Sequence, residues 1–318
     1  MAEASQAQGY AARGTEINAR KPKISDRGRR RHLSWGMDFD TRCVTLTQEI
    51  GDHWDEANKE LWRQNKANAR KGLIWEFGEK DSEGKIENFI AIDSKPFSTQ
   101  AHHNYFFHQI RQSFVVGSYY PALVGACALG ERILNHLIID LREFFKATPE
   151  YKRVYRKDSF DNWDIPIKTL DSWGVLRSEA LLEFKALKKL RHRSIHFNPE
   201  TYAKLKEDSL AAILHVRKII ETQFGSHGPH PWFLKGTRGH LFIAKEYETD
   251  PFVQTYYLPN CPFVGPLFSM EHGENGWTFI DLPDYGEGDW TDEEFATRYE
   301  SRDPNAVAKR PVSNEGEE

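Results

Sequence analysis

The six residues Arg191-His192-Arg193-Ser194-Ile195-His196 carry two guanidinium groups and two imidazoles. An imidazole near neutral pH can take or give a proton. An arginine grips a phosphate in bidentate fashion and stabilises added negative charge. Together these groups suffice for attack of an RNA 2′-hydroxyl on the adjoining phosphodiester. The substrate supplies its own nucleophile, so the chemistry needs no metal. His192 and His196, one turn apart, also have a metal-ligand spacing, but no third ligand is evident near them. The expectation is no metal and no other cofactor.

These residues need a helix to aim them. A helix starting at Ser178 turns by roughly 100° per residue, so Arg191 falls near the centre of the apolar face that carries Phe184, Leu187, Ser194 and Ile195. A charge there needs a partner, because an unpaired buried cation is costly. The helix after Ser118 offers one: Glu131 shares a face with Val124, Cys127, Leu134 and Ile138. The two charges are expected to find each other. A purely structural ion pair and one that orients a working arginine both fit this pattern. His192 and His196 share one flank of the helix, and His196 lies in its last turn, just before Asn198-Pro199.

The neighbouring segments read as further helices. Phe106, Phe107, Ile110, Phe114 and Val115 form a stripe that Gly117-Ser118 interrupts. The next helix runs from Ser118 to about Phe145, with Pro121 tolerated in its first turn. A short helix over Ile165–Trp173 ends at Gly174, and a long one spans Tyr202–Phe224. Upstream, a helix is expected over Leu46–Arg70. Leu73–Phe77 and Ile86–Ile92, separated by Asp81-Ser82-Glu83-Gly84, predict a β-hairpin. Downstream, β-prone runs at Leu241–Ala244, Val253–Leu258 and Trp277–Leu282 predict an antiparallel appendage.

The motif Arg191-His192-Arg193-Ser194-Ile195-His196 resembles that of HEPN domains, in which an arginine is followed by a polar residue, a short spacer and a histidine. The stretch from Gly117 to Glu131, a small-residue helix leading to a glutamate, is similar to the early helices of one HEPN branch, and Ile167 to Gly174 fits the segment before the motif helix. The resemblance covers roughly residues 103 to 225. It implies a small helical bundle that pairs, so that two Arg/His motifs face each other across a cleft. Many such domains are metal-independent endoribonucleases of toxin–antitoxin or antiviral defence systems; others are inactive binding or regulatory modules. Carried to this chain, the resemblance implies Arg191 and His196 as catalytic residues, with His192 and Glu131 supporting them. RNA, a second copy of the chain and an antitoxin or defence protein are the implied partners.

The expected fold class is mainly α: a HEPN-like helical bundle with flanking β-rich extensions, α+β overall. The expected division is a disordered basic arm over 1–35, an α/β-hairpin extension over 36–102, the helical domain over 103–225, a β-rich appendage over 226–296 and a disordered acidic tail over 297–318. The basic residues between Lys21 and His32 could touch phosphates. Of 318 residues, 39% are hydrophobic, enough for a substantial core. The sequence reading expects no secretory signal, no membrane span and, from three scattered cysteines without CxxC spacing, a cytoplasmic location. His240, Cys261 and His272 match no standard ligand pattern. They are read as packing or surface residues, as are His102, His103 and His108.

Overall fold

The computed structural model describes residues 24–36, 38–195, 202–274 and 276–309. His196 and Pro199 lie outside the described residues. The chain divides into two compact units, one of residues 36–228 and one joining residues up to 35 with those from 229 onward. The architecture is mainly helical with a few small antiparallel strands.

Among its described residues, the first of these units is all helical apart from isolated bridges. Its elements are α1 (Arg42–Thr47), α2 (Glu56–Phe77), α3 (Ser82–Ala91), α4 (Ala101–Val115), α5 (Tyr119–Leu141), α6 (Tyr151–Val154), α7 (Asp164–Ser172), α8 (Ser178–Ile195) and α9 (Leu205–Phe224). The predicted hairpin does not exist. Leu73–Phe77 is the last turn of α2, and Ile86–Ile92 falls in α3 and its C-cap. Short apolar runs do not distinguish strand from helix by period alone. Here the caps decide: Asp55 accepts from the Asn58 amide at 2.8 Å to start α2. Asp81, the supposed hairpin turn, is the left-handed residue that starts α3. Lys85 then closes the end of α2 by donating to the Phe77 carbonyl at 2.6 Å. The single helix expected over Leu46–Arg70 is broken between Thr47 and Glu56.

The centre of the unit is α5, against which α4, α7, α8 and α9 pack. Leu123, Ala126, Ile133, Leu134, Leu137 and Ile138 of α5 are buried. The segment Tyr119–Phe145 is long and apolar enough to cross a membrane, but 56% of its most apolar window is buried inside the protein, as expected of a bundle-core helix. Close approach of α5 to α7 and α8 depends on Gly130, where a Cβ would stand 2.5 Å from Leu187 Cδ2 and 3.0 Å from Trp163 Cη2. Gly174, at φ 69°, ends α7: the Val175 amide donates to the Leu170 carbonyl and the Gly174 amide to that of Asp171, both at 3.0 Å.

Among its described residues, the second unit holds four short strands. β1 (Arg31–His32) pairs antiparallel with β2 (Phe263–Val264), and β3 (Ser269–Gly273) pairs antiparallel with β4 (Gly276–Ile280). Their core joins Leu33, Phe242, Phe268, Phe279, Phe295 and Tyr299. Two helices interrupt the expected β texture. Val253–Leu258, read as a strand, begins inside α10 (Pro251–Tyr256), because Asp250 caps the Val253 amide at 3.0 Å and Pro251 fills the first helical position. The tail expected from residue 297 begins inside α11 (Asp292–Glu300), which a Thr291/Glu294 capping box starts. Beyond it, the Ala308 amide still donates to the Leu267 carbonyl.

Two arginines of the basic arm are likewise tied into this unit. Arg30 is buried and pairs with Asp26 and Asp281. Arg31 is buried and binds Asp292 at 2.7 Å. These guanidiniums are held by carboxylates and backbone carbonyls, which removes them as phosphate contacts.

Candidate functional site

Helix α8 places Phe184 and Leu187 in the core, fully buried, with Ser194 also buried on the same side. Arg191 lies on this face with a quarter of its side chain exposed. Its Nη2 lies 2.8 Å from Glu131 Oε2, so the two charges on separate apolar stripes do meet. Trp163, buried at the start of α7, donates its indole N–H to the same carboxylate oxygen at 3.0 Å. The Arg191 guanidinium also stands 5.5 Å from the centre of the Trp163 ring, within cation–π range. Thus α5, α7 and α8 each supply one member of an Arg–Glu–Trp cluster.

Other side chains fix the elements that carry this cluster. Asn135 of α5 accepts from the Phe160 amide at 2.8 Å, holding the connector before α7. Lys188 of α8 binds Asp164 of α7 at 2.6 Å. His215 of α9 lies 2.5 Å from Glu183 of α8. Arg193 makes a two-pronged contact with the buried Asp208 carboxylate of α9, one prong at 3.2 Å. Arg193 therefore ties the end of α8 to the start of α9, while His192 faces solvent between the two arginines. Cys127, one turn before Glu131, is buried, which pushes its thiol up to about 12 and leaves it protonated and unreactive.

Of the four residues expected at the site, Glu131 and Arg191 are brought into contact and His192 lies beside Arg191 in sequence on the exposed side of α8. His196 falls outside the described residues. Trp163 was not anticipated: it lies 32 residues from Glu131, and nothing local marks it as that carboxylate's partner. The Arg193–Asp208 tie was missed for the same reason. A surface groove lies along α6 and α7, lined by Arg153, Lys157 and Lys168 together with Glu150, Asn162 and Asp164. Asn162 and Asp164 flank Trp163 in the chain, so this groove of mixed charge adjoins the cluster in sequence.

A candidate metal set occurs elsewhere in the same unit: His102 and His103 of α4 with His136 of α5. His102 and His103, expected as packing or surface residues, thus share a cluster with His136, which no local sequence signal marks. Comparison of the chain with family models, curated proteins and solved structures finds no match.

Proposed function

We propose that the helical unit is a HEPN-type endoribonuclease that acts without metal, as a homodimer, in a toxin or antiviral defence setting. The observation that carries this reading is the Glu131–Arg191 pair. A partly exposed arginine is held in place from one side by a carboxylate and an indole, at the residue where the HEPN-like motif begins. Such an arginine is preorganised to meet a phosphate, which is how a fixed cation contributes most to a charged transition state. In this reading Arg191 clamps the scissile phosphate, His196 moves the proton, His192 assists it, and Glu131 orients Arg191. The nearby groove with Arg153, Lys157 and Lys168 offers a path for the RNA backbone.

The mechanism needs the 2′-hydroxyl and predicts a 2′,3′-cyclic phosphate. The test is incubation of purified protein with a mixed RNA pool in excess EDTA, followed by end-group analysis. Cleavage leaving cyclic phosphate is expected. Strict dependence on added Mg²⁺ or Mn²⁺, or equal cutting of DNA, would exclude this chemistry.

A second reading is a non-catalytic HEPN dimer that binds nucleic acid or protein in a regulatory role. The observation that favours it is the Arg191–Glu131 contact itself, because a guanidinium already neutralised by a carboxylate can serve structure alone.

A further inference from the structure

Three histidines that the candidate active site does not use converge at the start of α4. His102 and His103 are the second and third residues of that helix, and His136 is on α5. One ring nitrogen from each lies within 4.8 Å of the others. The His102 ring centre is 4.3 Å from that of His103 and 5.4 Å from that of His136. His103 is fully buried, and among the described residues neither of its ring nitrogens has a hydrogen-bond partner. Phe224 of α9 packs edge-on against it at 4.7 Å and offers no acceptor. A buried polar group without a partner is costly and rare, and calls for a ligand or another explanation.

We propose that His102, His103 and His136 bind one divalent transition-metal ion of the zinc class, bracing α4 against α5. Three imidazoles are the donor set that zinc, cobalt, nickel and copper share. Tetrahedral zinc with Zn–N bonds of ~2.0–2.1 Å needs its nitrogens ~3.3 Å apart. The cluster is thus somewhat wider than a bound ion requires, and binding would draw the three rings together. A metal binds the neutral imidazole through its lone pair, so uptake should release protons where the free rings are protonated. Two charged groups on α5 bear on the cluster from opposite sides of His136. Arg132, one turn before, opposes a cation, and Asp140, one turn after, favours it. The fourth coordination position is left for water or an exogenous ligand.

His136 lies five residues beyond Glu131, about 140° around α5. The ion therefore sits away from the face that carries the Arg–Glu–Trp cluster and would brace α4 against α5 without serving that cluster. This inference stands apart from the ribonuclease reading, since its readout is binding and not cleavage.

The test uses the full chain, stripped with a chelator that is then removed. Zn²⁺ titration by calorimetry should show one tight site and a raised Tm. Co²⁺ should give the intense visible bands of four- or five-coordinate cobalt, and Zn²⁺ should abolish them. His102→Ala and His136→Ala should each weaken binding at least about a hundredfold, since even outer partners of ligands contribute about 10–100-fold, with far-UV circular dichroism unchanged. No uptake, the weak spectrum of hexaaqua cobalt, or uptake equal in parent and both variants would overturn the proposal. If a variant does not fold, the cobalt spectrum of the parent decides alone.

Discussion

Replacing Glu131 by alanine removes a carboxylate oxygen that receives both Arg191, at 2.8 Å, and the Trp163 indole, at 3.0 Å. Two unit charges ~4 Å apart attract by about 4 kcal/mol at an effective dielectric of ~20, before desolvation is counted. Exposed pairs retain about 0–1 kcal/mol of such attraction, while breaking a fully buried pair costs about 3–5 kcal/mol. The Arg191 and Glu131 side chains are 25% and 29% exposed, between those limits. An orphaned indole N–H adds about 1 kcal/mol. Glu131→Ala should therefore cost about 2–3 kcal/mol, or about 4–12 °C in Tm for a unit of this size. Glu131→Gln keeps an acceptor for Trp163 and loses only the charge, so its cost should be smaller. The assay is a double-mutant cycle of Glu131→Ala and Arg191→Ala, melted by far-UV circular dichroism, to which the helical unit contributes most. A coupling of about 1–2 kcal/mol is expected; additivity within about 0.5 kcal/mol would refute the energetic link between the two residues.

Two further outcomes follow from the same structure. The folded protein holds His102, His103 and His136 below the ordinary imidazole value of 6.5, chiefly by burial. The unfolded chain then takes up protons first, so the stability they contribute is complete above pH 6.5 and is lost as pH falls toward about 4. Tm of chelator-stripped protein should drop through that window, and a slope unchanged in a His102→Asn/His103→Leu variant would contradict this cause. The proposed paired active site calls for an isologous homodimer. Light scattering should give twice the chain mass at micromolar concentration, and a monomer with undiminished cleavage would count against the pairing.

The sequence carried the helical centre well, because its signals are local and periodic. Phe184, Leu187 and Ser194 are buried as the 100° rotation required, and the same construction brought Glu131 to Arg191. The last turn of α2 and the body of α3 were misread as strands. Their apolar runs are short, and the deciding evidence was capping by Asp55 and by Asp81, whose type alone fits a turn equally well. Val253–Leu258 failed similarly, although Asp250-Pro251 was a visible helix start. Arg30 and Arg31 looked like a solvated arm because their partners, Asp281 and Asp292, lie some 250 residues away. Trp163 and His136 were hidden by the same non-locality: neither has a sequence neighbour that announces its role.

The central claim is that the motif at the end of α8 cleaves RNA through Arg191 and His196. The most direct measurement compares parent and His196→Ala on one RNA substrate in EDTA, with circular dichroism and light scattering on the same samples. His196→Ala should leave fold and assembly unchanged and lower cleavage by about two or more orders of magnitude, the size of a general acid–base contribution. Equal cleavage by the two proteins, or no cleavage by the folded parent on any RNA in the pool, would contradict it.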